Sequence, residues 1–164
     1  MERLRVIPIP IFTQTVMNTT AAIPSRQTTE AYGYDVCAFL PEGDVSLSPL
    51  QIVRVRTGLH VALPEHSSLL VCSRSGLAAK GVQVINAPGI IDSDYRNEIQ
   101  VLLTLIAPPD APAFTITHGQ RIAQLVYLPA FGIPDFDAVT AAAWQEQLRA
   151  RELSRVGGFG STGS

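Results

Sequence analysis

Twelve glycines and twelve prolines are spread through the 164 residues, and they constrain the fold more than any other feature of the chain. They cut the sequence into short apolar runs rich in Val, Ile and Leu, the side chains that fit a pleated, half-buried surface. The runs at 4–9, 33–40, 51–56, 68–73, 83–85, 98–106, 113–117 and 121–128 read as strands. The run at 98–106 has an apolar stripe at Ile99, Val101, Leu103 and Leu105. Its other face, Gln100, Leu102, Thr104 and Ile106, is mixed, which predicts a strand buried on one side and partly on the other. Many short strands with turn residues between them predict an all-β sandwich or jelly roll.

One stretch has a different period. Residues 137–155 include Ala-Ala-Ala-Trp-Gln-Glu-Gln-Leu-Arg-Ala, good helix formers, with Asp137 as a candidate N-cap and Val139, Ala143, Trp144 and Leu148 near helical spacing. The sequence predicts a packing helix here. The chain reads as one domain in three stretches: a β domain over 1–136, a helical connector over 137–155 and a glycine-rich arm over 156–164.

Composition narrows the function classes. Hydrophobic residues make up 46% of the chain and charged ones 16%, yet the longest apolar run, 101–107, is broken by Thr104 and ended by Pro108-Pro109. No membrane span is expected. The first residues, with Pro8 and Pro10 close behind, are too short and proline-broken for a signal peptide, so a cytoplasmic location is the expectation. A net charge of −2 argues against a nucleic-acid partner. Cys37 and Cys72 read as reduced core thiols. Neither has metal-ligand spacing, and His60, His66 and His118 are scattered, so a protein-caged zinc is not expected.

The chemistry-bearing residues concentrate in two places. Arg74-Ser75-Gly76 sets a fixed cation, a hydroxyl and a glycine amide side by side, which suits phosphate oxygens. Residues 86–96 read as a hairpin around Pro88-Gly89. In it, Asn86 can match a base edge and Tyr95 can lie flat against a sugar. Asp92 follows two isoleucines, and partial burial there would raise its proton affinity and suit a general base. The second place is the tail, where Phe159 stands among glycines and is followed by Ser161 and Thr162. Exposed amides, two hydroxyls and one flat ring are what a mobile arm closing over a nucleotide needs.

Five segments in order resemble the five motifs of the trimeric dUTPase family: residues 31–36, 74–78, 89–99, 119–125 and 157–163. The resemblance spans roughly residues 23–163. It implies a jelly-roll-like β subunit, a homotrimer with shared active sites, Mg²⁺ as cofactor and dUTP as substrate, hydrolysed to dUMP and pyrophosphate. By motif position, Asp92 would activate water, Asn86 would read uracil and Tyr95 would exclude a 2′-hydroxyl. Arg74, Ser75, Gly76 and Gln124 would hold phosphates, and Asp35 would reach the metal through its water shell. Phe159 would stack on uracil, with Gly160, Ser161 and Thr162 at the phosphates. The family pattern Arg-Gly-x before the arm is replaced by Ser154-Arg155-Val156, so the arginine expected at the γ-phosphate is Arg155, one position nearer Phe159. Asn97 stands where glycine is usual and is expected to take a left-handed turn. A dCTP deaminase of the same fold, or a trimeric nucleotide-binding module without turnover, are the alternative readings. The tail and the 89–99 segment speak against the deaminase and favour dUTP hydrolysis.

Overall fold

The computed structural model describes residues 8–13, 15–16, 19–129 and 138–150. The chain divides into two compact units, Met1–Gly132 and Ile133–Ser164.

The first unit is a β sandwich. Strands β1 (Ile11–Thr13), β6 (Ile52–Val61), β10 (Ile99–Leu105) and β8 (Val82–Val84) form one antiparallel sheet in the order β1-β6-β10-β8. Strands β4 (Tyr34–Cys37), β12 (Arg121–Pro129), β7 (Ser67–Cys72) and β9 (Gly89–Asp92) form the second in the order β4-β12-β7-β9. Two small ribbons complete it: β2 (Thr15–Val16) with β3 (Thr19–Thr20), and β5 (Val45–Leu47) with β11 (Phe114–Ile116). Alternation along each strand supplies the core. Val55, Leu59, Ile99, Val101 and Leu103 come from the first sheet, and Val36, Leu69, Val71, Ala123 and Leu125 from the second, all buried.

The structure corrects several expectations. Among the described residues the first strand is Ile11–Thr13; of the expected run at 4–9, residues 4–7 lie outside the described residues and Pro8 and Ile9 are not in a strand, Pro8 and Pro10 having no N–H to give a ladder. Strand β6 does not stop at Arg56. Leu59 pairs with Ile99 and Arg56 with Gln100, so Thr57 and Gly58 form a bulge and the strand runs on. Gly58 has φ +66° there, and a Cβ on it would stand 2.6 Å from Ala21 Cβ. Residues 86–96 are not a local hairpin: β8 belongs to one sheet and β9 to the other, so 85–88 carry the chain across the sandwich. Asn97 does not adopt positive φ; among the described residues, the non-glycines that do are Leu50 and His66.

In the second unit, helix α2 (Ala141–Ala150) lies inside the expected 137–155 segment. Its N-cap is Thr140, whose Oγ1 accepts the Ala143 amide at 3.2 Å and whose carbonyl accepts that of Trp144. Asp137, the expected cap, lies outside the described residues. Among those residues, no helix is long and apolar enough to cross a membrane.

Candidate functional site

Three strands build the first group of candidate residues. Asp35 on β4 pairs with Gln124 on β12, which pairs with Cys72 on β7. Residues opposite one another in register share a face, here the outer face of the sheet. Arg121 and Gln124 are three apart and would point to opposite faces of a regular strand. They do not, because the register shifts between Arg121 and Ala123 and Ile122 is tucked into the core, 1% exposed. This bulge brings the Arg121 guanidinium round to Asp35.

Asp35 sits between two cations. Its Oδ1 accepts Arg74 Nε at 2.8 Å, and its Oδ2 accepts Arg121 Nη1 at 3.0 Å and Arg74 Nη2 at 3.4 Å. Arg74 Nη1 also donates to the Arg121 carbonyl at 3.2 Å, which fixes the guanidinium plane. Gln124 Nε2 donates to the Ser73 carbonyl, and its Oε1 lies 2.7 Å from the Cβ that a larger residue would place at Gly33. Glycine at position 33 therefore leaves room for this amide. Arg74 leads straight into the short helical turn α1 (Ser75–Ala78), where Ser75 and Gly76 are exposed and their amides, as first-turn donors, have no intrahelical acceptor. Cys37 and Cys72 are free thiols, half-buried on this outer face and not in the core. Burial, then the charge of Asp35, pushes the Cys37 thiol above its ordinary 9.0.

The second group follows the crossing at 85–88. Asn86 is exposed, and its Nδ2 lies 3.1 Å from a Cβ built on Gly89, so the side chain folds over the glycine that opens β9. Asp92 closes β9 on the outer face opposite Ser68. It is exposed, against the expectation of partial burial, because Ile91 is the neighbour turned inward. A tight turn follows, closed by Tyr95 N donating to the Asp92 carbonyl at 3.1 Å. Tyr95 is half-buried against the core, and its hydroxyl donates to the Glu98 carbonyl at 2.9 Å. Arg96 Nη1 ties down the turn carbonyls of Ser93 and Tyr95 at 2.7 and 2.9 Å.

Within one chain Asp92 stands apart from the first group, whereas Gly89, beneath Asn86, pairs with Val71 next to Cys72. Gln124 and Asp35 lie level with Cys72, whereas Asp92 lies level with Ser68, four residues along β7. At ~3.3 Å per residue that is about 13 Å. The outer face between them is apolar: Leu70, Val126, Leu128 (50% exposed) and Ile90 (63% exposed). Arg155, Phe159, Gly160, Ser161 and Thr162 lie outside the described residues.

Two residues with a clear place in these groups were not singled out by the sequence reading, Arg121 and Glu98. Both lie inside quoted motif segments, so the signal was present; what each touches depends on a bulge.

Fold and site together define an all-β protein with a jelly-roll-like subunit and a guanidinium–carboxylate cluster on the outer face of one sheet. Comparison with known proteins gives the family. The dUTPase family model matches residues 19–163. The deoxyuridine 5′-triphosphate nucleotidohydrolase of Cytophaga hutchinsonii is 44% identical over 143 residues, 87% of this chain and 85% of that protein. The protein of the same name from Roseobacter denitrificans is 40% identical over 148 residues, 89% and 90% of the two chains. A Staphylococcus bacteriophage 80alpha dUTPase mutant solved with dUpNHpp superposes with a TM-score of 0.72 at 21% identity, covering 97% of this chain and all of that one. The phage phi11 dUTPase of S. aureus, a mutant described with a structural Mg(II) ion, has a TM-score of 0.69 at 23% identity over 81% and 97% of the two chains. The chain belongs to the dUTPase family.

Proposed function

We propose that this protein hydrolyses dUTP to dUMP and pyrophosphate. Membership in a family whose curated relatives carry the name of that reaction, at up to 44% identity, carries the reading. Asp92 takes a proton from water, the water oxygen bonds to the α-phosphorus, and the bond to the β-phosphate bridging oxygen breaks, releasing pyrophosphate. The exposed carboxylate at the end of β9 is open to a solvent molecule and to substrate. Asn86 and the backbone at Gly89 receive the base, and Tyr95 lies beneath the deoxyribose. Arg74, Ser75, Gly76 and Gln124 hold phosphates, Arg121 reinforces Arg74 through Asp35, and the arm bearing Arg155, Phe159, Gly160, Ser161 and Thr162 closes over the nucleotide.

Among the described residues no three of His, Cys, Asp or Glu gather together. Both Asp35 oxygens already accept from guanidiniums, although a carboxylate has about four acceptor positions and can take further bonds from water. Asp35 therefore fits Mg²⁺ held through its water shell and delivered with the triphosphate. When bound, Mg²⁺ neutralises phosphate charge.

The assembly is a homotrimer with shared sites. The roughly 13 Å strand separation of Asp92 from the phosphate-holding group supports this, as does the apolar face between them, on which Ile90 and Leu128 are exposed. The direct test is pyrophosphate release from dUTP and Mg²⁺ by the purified protein and by Asp92→Asn. The amide keeps the shape but cannot take a proton, so turnover should fall ~10²–10⁴-fold while nucleotide still binds. Near wild-type turnover in the variant removes Asp92 from the role of base.

A further inference from the structure

The turn that carries Asp92 and Tyr95 is anchored from below by one carboxylate. Glu98 directly precedes β10, and its side chain is 11% exposed. Its Oε1 accepts the Gly58 amide at 2.8 Å and the Thr57 amide at 3.2 Å, the two residues of the β6 bulge. Arg56 Nε reaches both oxygens, at 3.2 and 3.3 Å, and Gln100 Nε2 lies at 3.5 Å from Oε2. A bulge exposes amides that a regular ladder would pair, and buried amides without acceptors are costly. The carboxylate answers both of them. The same residue's carbonyl receives the Tyr95 hydroxyl at 2.9 Å, and the neighbouring Arg96 carbonyl stands 3.1 Å from His60 Nδ1 on β6. The turn is thus attached to β6 at two successive levels, and the Tyr95 ring is hung from the better buried one.

We propose that Glu98 is a positioning residue for sugar selection: by clamping the Thr57–Gly58 bulge it fixes the carbonyl that holds the Tyr95 hydroxyl, and so the height of the ring beneath the sugar. This rests on the assignment of Tyr95 to the deoxyribose. Glu98 itself touches no substrate. Burial works against its charge, but the Gly58 amide and Arg56 outweigh it and hold the carboxyl below its ordinary 4.5, so the clamp is charged at neutral pH.

The test compares kcat/KM for dUTP and for UTP. Tyr95→Ala first checks the underlying assignment: if the dUTP preference is unchanged, the role of Tyr95 fails and the proposal falls with it. Given a preference that narrows in Tyr95→Ala, Glu98→Ala should also narrow it, about 10–100-fold, as expected for a misplaced positioning group. Glu98→Gln keeps an acceptor for the two bulge amides and should restore most of the preference. A merely stabilising Glu98 would lower the melting temperature and leave the ratio alone, and that result overturns the proposal. Should Glu98→Ala not fold, Tyr95→Phe decides. It removes only the hydroxyl bond to Glu98 and should narrow the preference, whereas an unchanged ratio overturns the proposal.

Discussion

Gly58→Ala isolates what the β6 bulge requires. Gly58 has φ +66°, and a Cβ there would lie 2.6 Å from Ala21 Cβ and 2.8 Å from Phe39 Cδ1. Ala21 and Phe39 are both buried, at 4% and 1% exposure, so neither can swing aside into solvent. The left-handed backbone alone costs an alanine ~1–2 kcal/mol. Forcing a methyl into a filled core adds ~1–3 kcal/mol. The sum, roughly 2–5 kcal/mol, is a large part of the ~5–15 kcal/mol that holds a domain folded. It should lower the melting temperature by roughly 4–20 °C for a chain of this size. Gly119→Ala is the matched control, since Gly119 has φ +74° and nothing within 4 Å of the built Cβ. It should show the backbone cost alone, ~1–2 kcal/mol. Urea unfolding and thermal melts of both variants at one protein concentration give the comparison. If Gly58→Ala costs no more than Gly119→Ala, the contact argument is wrong.

The folded-state pKa of Glu98 lies below its ordinary 4.5, so its stabilisation is complete above that pH and is lost as pH falls through the folded value. Urea midpoints of wild type and Glu98→Gln should therefore differ at pH 7 and draw together as pH falls below 4.5; a constant gap refutes the linkage. Mixing Asp92→Asn with Arg74→Ala, each inactive alone, should restore measurable pyrophosphate release after subunit exchange if one site takes Asp92 from one copy and Arg74 from another. No recovery in demonstrably mixed oligomers refutes shared sites. Deleting residues 157–164 should leave a folded oligomer with little turnover, and Phe159→Ala should lose most of what the deletion loses, since stacking on a base is worth ~1–3 kcal/mol. Wild-type kinetics in the deletion would remove the arm from the mechanism.

Sequence alone determined the class of fold and the segments that resemble the family's motifs. The alternation at 98–106, the Val- and Leu-rich runs at 68–73 and 121–128 and the proline and glycine breaks made the sandwich legible, because a side chain's face in a strand follows from its position in the run. The five motif segments were legible for the same local reason. Tertiary structure decided what those residues meet. Arg121 and Gln124 share a face only because Ile122 is bulged into the core. Glu98 became a clamp only because β6 leaves two amides open at Thr57 and Gly58. Residues 86–96 were read as a hairpin, since a Pro-Gly pair is a local turn signal, yet β9 is claimed by β7 across the sandwich. Asp92 and Arg74 lie in adjacent motifs, but Asp92 pairs with Ser68 near one end of β7 while Arg74 follows the other end, so the sequence order that names them does not bring them together. Both bulges are set by pairing between segments 40 or more residues apart, such as Ile99 with Leu59, and no window of local sequence contains both partners.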